Sequence, residues 1–188
     1  MTASPRPWAA QTKLQTPLGP MLIACTEVGL GGCWFDGQQH HPGELHAKSD
    51  ANHRWLLATA RTFDRYWQGA GDAGDLATLP LDLAGTAFQL AVWQQLRQIA
   101  PGATVSYGDI ARALDRPKAV RAVGAAVGRN PVSVLVPCHR VMGANGSLTG
   151  YAGGLDRKVA LLELEGVALP SPSLIPYPAT SGMSGLTA

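Results

Sequence analysis

The apolar residues of this chain change their spacing near Gly85, and that change limits the folds open to it. Between Lys13 and Gln39 short apolar runs alternate with turn signals: Leu14 to Thr16, Pro17-Leu18-Gly19-Pro20, Met21 to Cys25, Gly29 to Phe35, then Asp36-Gly37. Runs of that length, bounded by Gly, Pro and Asp, read as an antiparallel hairpin or meander. The polar, His-containing stretch from Gln38 to Asn52 reads as a loop. Trp55, Leu56, Ala58, Thr59, Phe63, Tyr66 and Trp67 then follow a helical spacing that ends at Gly69. The segment 69–74 is a Gly-rich breaker, and Leu79 to Leu83 reads as a short extended piece rejoining the sheet.

From Thr86 the pattern is helical. Phe88, Val92, Leu96 and Ile99 recur every three or four residues, giving one buried face that stops at Pro101-Gly102. Ser106 with Asp109 resembles a capping box, Ile110 and Leu114 supply an apolar face, and Asp115-Arg116-Pro117 turns the chain. Pro117 suits the first turn of a further helix running to about Gly128. Two short helices joined by a tight turn suggest a helix-turn-helix. A last helix is expected from about Asp156 to Glu165, stopping at Gly166. The expected fold is therefore α+β: a small N-terminal antiparallel sheet with a helix over residues 1–84, then a mostly helical C-terminal domain over 85–169 with a winged-helix-like helix-turn-helix. The uncharged Ser, Pro, Gly and Thr-rich tail, 170–188, is expected to be poorly ordered.

Composition narrows the class further. With 46% hydrophobic and 15% charged residues and a mean hydropathy of +0.02, the chain is neither disordered nor membrane-embedded. No apolar run approaches the roughly eighteen residues of a transmembrane helix. No apolar stretch follows a basic start, so no signal peptide is expected and the cytoplasm is the expected compartment. Three cysteines, Cys25, Cys33 and Cys138, are too few for a disulfide framework and suit a reducing compartment. The net charge of +2 is split: residues 1–84 carry six Lys or Arg against eight Asp or Glu, while residues 85–168 carry nine against five. Taken alone, that asymmetry is ordinary surface charge.

Val134-Leu135-Val136 runs into Pro137-Cys138-His139-Arg140-Val141 and reads as a buried strand delivering a thiol to its end. A lone buried cysteine is most often a small hydrophobe. Here His139 and Arg140 follow directly, and neighbouring cationic groups favour a thiolate. Adjacent side chains on a strand face opposite ways, so Cys138 and His139 meet only if the chain turns or a water bridges them. Glu165 lies three and four residues from Leu162 and Leu161, on an apolar face at a helix C-terminus where the dipole disfavours an anion. An ordinary surface glutamate would not sit there. Asn130, between Arg129 and Pro131, is either a structural hydrogen-bonder or a plain turn residue. On the 117–128 helix, Val120, Val123 and Val127 form a core side. Arg121, Ala122, Ala125 and Gly128 form a small-residue side that suits close approach to a narrow groove.

Val105-Ser106-Tyr107, Lys118 to Gly124, Arg129-Asn130-Pro131, Pro137 to Val141, Gly150 to Leu155 and Leu162 to Gly166 together resemble, in order and spacing, the C-terminal domain of O6-alkylguanine-DNA alkyltransferases. The resemblance covers about residues 86–167; residues 1–84 resemble the family's variable N-terminal domain more weakly. It implies that Cys138 accepts an alkyl group from the O6 atom of a damaged guanine, in a single irreversible turnover. His139 would be its partner through a water, Glu165 would orient the imidazole, and Asn130 would brace the site. It further implies that Arg121 is a finger inserted where the target nucleotide flips out. Ala122, Gly124 and Ala125 would line the DNA-facing helix, and Tyr107 would push the nucleotide out and hydrogen-bond the base. Val141, Tyr151, Ala152 and Gly153 would form the rest of the pocket, with backbone groups of Val141 and Ala152 reading the guanine edge. No cofactor is implied. Cys25 and Cys33 are eight apart and His40, His41, His46 and His53 sit in or beside a polar loop, so no metal is expected. The implied partner is double-stranded DNA carrying alkylated guanine, bound by a monomer with scope for cooperativity on DNA; O4-alkylthymine is left open as a second substrate, and no membrane partner is expected. The rival readings are a non-catalytic lesion-binding module and, on the Cys-His pair alone, a cysteine hydrolase.

Overall fold

The computed structural model describes residues 7–69 and 78–169. Most of the expected 69–74 breaker and the whole 170–188 tail lie outside the described residues.

Strands β1 (Ala10–Leu14), β2 (Met21–Cys25) and β3 (Leu30–Phe35) form an antiparallel meander, as expected, and the sheet order is β3-β2-β1-β4. The period of two along β2 and β3 divides their side chains between two faces. Met21, Ile23, Cys25, Cys33 and Phe35 enter the main core, while Leu22, Ala24 and Trp34 form a smaller cluster with Trp8 and Leu45. The β1–β2 turn depends on Gly19, whose φ of +104° is one that residues with a Cβ rarely adopt. The stretch read as a loop from Gln38 to Asn52 contains a short fourth strand, β4 (Lys48–Ser49), parallel to β1. Its two residues are exposed and polar, so no apolar period marked them; Gln11 Nε2 holds the preceding chain through the carbonyls of Leu45 and Ala47.

Helix α1 (Arg54–Trp67) is capped by the His53 ring, which accepts from Trp55 N–H, and packs Leu56, Phe63 and Tyr66 inward. Only Leu81 of the expected 79–83 extended piece bridges to the sheet, pairing with Leu30 through Leu30 N–H to Pro80 O (2.9 Å) and Asp82 N–H to Leu30 O (2.8 Å).

Helix α2 (Ala87–Leu96) opens on a capping box between Thr86 and Gln89 and buries Val92, Trp93 and Leu96. Trp93 Nε1 donates to Ala126 O at 2.9 Å, tying α2 to a later helix. Strand β5 (Val105–Ser106) leads into α3 (Tyr107–Ala113), where Ser106 and Asp109 form the capping box read from the sequence. Helix α4 (Val120–Gly128) starts three residues later than the position assigned to Pro117. Asp115 is left-handed (φ +55°), and bonds from Arg116 N–H to Ala111 O and from Ala119 N–H to Arg116 O hold 114–119 as a turn. Val120 thereby falls in the first turn and is 40% exposed; Val123, Ala126 and Val127 make the core side instead. Helices α2, α3 and α4 pack on one another. Strand β6 (Val141–Met142) pairs in parallel with β5, and α5 (Leu155–Leu164) closes the chain.

Residues from both sides of Gly85 share one core. The edge of β3 docks the 131–133 segment, with Cys33 N–H donating to Pro131 O (2.9 Å) and Ser133 N–H to Cys33 O (2.8 Å). Among the described residues no helix is long and apolar enough to cross a membrane.

Candidate active site

The segment before Cys138 is a turn rather than the expected strand. Val134 has φ +72°, Val136 N–H bonds back to Val132 O (3.0 Å), and among the described residues no strand pairs with 134–136. Asn130, just beyond α4, supplies the bonding that a neighbouring strand would have given. Its Oδ1 accepts from Val132 N–H (3.0 Å), and its Nδ2 lies 2.7 Å from Val136 O, 3.3 Å from Val132 O and 3.1 Å from Cys138 Sγ. A left-handed β-branched residue costs on the order of 1–3 kcal/mol, and such strain persists where its surroundings over-determine it. Cys138–Arg140 then form one turn of 3-10 helix, all buried.

His139 has no exposed surface. Its Nε2 lies 2.9 Å from Glu165 Oε1, and its Nδ1 is buried with no protein partner among the described residues. Glu165, the C-cap of α5, also accepts from Arg140 Nε on Oε2 and from Arg140 Nη2 and Tyr66 Oη on Oε1, each at 2.8 Å. Burial works against its charge, but the bonds from His139 and Arg140 prevail and hold the carboxyl down to about 2. Burial pushes the His139 pKa down despite Glu165, so the ring is neutral near pH 7. An ionised Glu165 only accepts, which puts the ring proton on Nε2 and leaves the Nδ1 lone pair free as a base.

Burial pushes the Cys138 thiol up, partly offset by the Asn130 amide and the charge of Lys158. The sequence had suggested His139 and Arg140 as the activating cations. Arg140 is instead turned onto Glu165 and the Ile99 carbonyl, and the ammonium whose charge reaches the sulfur is Lys158. Lys158 is fully enclosed, donates to Val141 O (2.5 Å) and Thr149 O (2.9 Å), and is brought down to about 8 by burial. It was missed, although its spacing of three and four from Leu161 and Leu162 marked it as facing the core. Tyr66 was read only as part of a helical apolar stripe.

Tyr107, half-buried at the start of α3, accepts from Thr149 Oγ1 at 3.4 Å. Gly124 faces its ring: a Cβ there would lie 3.9 Å from it. Arg121, Ala122 and Ala125 are exposed on α4. Tyr151 is buried edge-on to His139 at 6.5 Å between ring centroids. Gly153 has to be glycine, since a Cβ would come within 2.5 Å of the Tyr151 ring. Both backbone candidates are already engaged: Val141 N–H by Cys138 O and its carbonyl by Lys158, and the Ala152 carbonyl by Gln39 N–H at 2.8 Å. Each carbonyl keeps a second lone pair. Away from this site, Cys25 Sγ lies 3.1 Å from His53 Nδ1, and among the described residues no three Cys, His, Asp or Glu side chains converge on a point.

Fold and site together define a protein with two short helices joined by a tight turn, a buried thiol at Cys138 and a buried imidazole–carboxylate pair at His139 and Glu165. Residues 87–167 match the family model described as 6-O-methylguanine DNA methyltransferase, DNA binding domain. The chain is 44% identical over 155 residues, 81% of its length and 95% of the relative's, to the methylated-DNA--protein-cysteine methyltransferase of Methanosarcina acetivorans. It is 40% identical to the protein of the same name from Haemophilus influenzae over 82% of this chain and 84% of that one. The crystal structure of Mycobacterium tuberculosis OGT in complex with DNA superposes with a TM-score of 0.76 at 39% identity, covering 84% of this chain and 92% of that one. The chain belongs to the O6-alkylguanine-DNA alkyltransferase family, the methylated-DNA--protein-cysteine methyltransferases.

Proposed function

We propose that this chain repairs DNA by direct reversal, moving the alkyl group of O6-alkylguanine in duplex DNA onto Cys138 Sγ. The observation that carries the reading is a buried Cys138 whose sequence neighbour, His139, is held by Glu165 with its Nδ1 unpartnered among the described residues, in a chain that also presents Arg121, Ala122 and Ala125 on the exposed side of α4. Cys138 is buried and cannot reach a base held in the duplex, so the nucleotide has to be flipped out, and a weakened lesion pair lowers the cost. Arg121 fills the space left behind, Ala122, Gly124 and Ala125 allow close approach to the minor groove, and Tyr107 presses on the displaced nucleotide.

The base then enters the pocket formed by Tyr107, Val141, Tyr151, Ala152 and Gly153. The thiol is protonated at rest, so its proton leaves as the reaction begins. It passes through a bridging water to His139 Nδ1, and Glu165 stabilises the imidazolium that results. The Sγ lone pair attacks the alkyl carbon, the carbon–O6 bond breaks with its electron pair on guanine, and the base takes up a proton. The lesion is itself the alkyl donor, so no cofactor enters. We assign 85–169 as the DNA-binding and transfer domain and 1–84 as a supporting N-terminal domain, acting as a monomer.

Incubation with duplex DNA carrying O6-methylguanine labelled in the methyl group tests the reading. Covalent label on the protein is expected. Release of a labelled small product would identify a hydrolase, and tight binding without loss of label from DNA would identify a lesion-binding module.

A further inference from the structure

We infer that Tyr66, on α1 in the N-terminal half, is a positioning residue for alkyl transfer: its hydroxyl shares Glu165 Oε1 with His139 and so sets how strongly the carboxylate binds the imidazole. The inference rests on the His139–Glu165 reading above and goes beyond it by placing a residue of the N-terminal half in the proton-handling network.

The load on the two carboxylate oxygens is uneven. Among the described residues Oε2 takes one donor, Arg140 Nε, whereas Oε1 takes three: His139 Nε2 at 2.9 Å, Arg140 Nη2 at 2.8 Å and Tyr66 Oη at 2.8 Å. Three donors compete for the lone pairs of one oxygen, so each holds it less strongly than it would alone. Tyr66 cannot withdraw from that competition. Its side chain is buried, and its ring packs edge-on against Trp67 at 5.0 Å. Burial and the Glu165 charge push its phenol well up, so it remains a donor at every working pH.

The groups that act on the His139 proton come from several elements. Glu165 and Lys158 reach it from α5, Arg140 from its own turn, where the uncharged Cys138 thiol is its neighbour in sequence, Tyr151 packs edge-on from the 150–155 loop, and Tyr66 acts indirectly from α1. Arg140 and Lys158 drive the proton off, and Glu165 holds it. Removing the Tyr66 hydroxyl strengthens only that last hold. The imidazolium gains, and the base titrates at higher pH.

The test is the pH–rate profile of alkyl transfer from free O6-benzylguanine, which needs neither DNA binding nor flipping, compared between the parent protein and Tyr66→Phe. The acid limb should move to higher pH by roughly half a unit, about a threefold loss of rate on that limb, with the plateau nearly unchanged. An unmoved limb, or one moved to lower pH, overturns the inference. Glu165→Gln is measured in parallel. If it also leaves the profile unmoved, the His139–Glu165 reading fails as well; if it moves the profile while Tyr66→Phe does not, only the role of Tyr66 fails. In the Glu165→Gln background, Tyr66→Phe should add no further displacement, and an added one would place its effect elsewhere.

Discussion

Cys138→Ser should bring alkyl transfer below detection while leaving duplex affinity within about twofold. The attacking group must displace an alkoxide-type leaving group from a saturated carbon, a task for a soft, readily ionised sulfur. A serine hydroxyl is far harder to deprotonate, and His139 is too weak a base in its buried, neutral state to compensate. Loss of an enzyme nucleophile costs on the order of 10⁶-fold where it has been measured, so residual transfer should not be seen. The fold should tolerate the change. Asn130 Nδ2, now 3.1 Å from Sγ, can donate to the smaller, more polar hydroxyl, and the change should cost about 1 kcal/mol. In the proposed reading, binding rests on the exposed face of α4 and on phosphate contacts, whereas Cys138 is buried. A melting curve, a binding isotherm and a transfer assay on the same preparation check all three statements. Transfer that survives in Cys138→Ser would remove the proposed acceptor.

Glu165→Gln should lower both rate and stability. The carboxylate is the counter-ion of a buried Arg140 and accepts from His139 and Tyr66, so an amide leaves a buried guanidinium uncompensated. Removing one partner of a buried pair costs roughly 3–5 kcal/mol, on the order of 10 °C in Tm for a chain of this size. The same bonds make stability depend on pH. The Glu165 carboxyl is depressed in the folded state, to about 2, so its stabilisation is complete above its unfolded value and is lost as pH falls from about 4.5 toward 2. A shift of that size corresponds to about 3 kcal/mol. The parent protein should therefore lose stability across that acid window more steeply than Glu165→Gln, and the transfer rate of the variant should fall by roughly 10²-fold, the low end of what general acid–base catalysis supplies. Unchanged Tm and rate in Glu165→Gln would exclude it from the site.

What could be read from sequence followed from local rules. The β1–β3 meander, α1, the Ser106–Asp109 capping box and the last helix each rest on periods, turns and caps set by near neighbours in the chain. Glu165 was legible because a carboxylate on an apolar helix face needs a partner. The same rule applied to Lys158 and would have found it. The active-site turn was not legible: three consecutive β-branched or apolar residues favour a strand, and the tertiary bonds of Asn130 override that preference at Val134. Arg140 was assigned to the thiol because it is adjacent in sequence, yet its guanidinium turns toward Glu165, 25 residues on. Tyr66 meets Glu165 across 99 residues, and no local pattern distinguishes it from Phe63 or Trp67 on the same helix. The start of α4 was misplaced because a proline that fits a helix's first turn also fits the turn before it.

The central claim is that one molecule of this protein consumes one lesion and keeps the alkyl group on Cys138. A thioether has no polarised carbonyl for water to attack, so no second step restores the thiol. The measurement is a titration of excess O6-methylguanine duplex against a known amount of active protein, followed until lesion loss stops, with the modified peptide then mapped by mass. Lesion loss should end at one equivalent, with the added methyl on the peptide containing Cys138. Continued loss beyond one equivalent, or a methyl group found on Cys25 or Cys33, would contradict it.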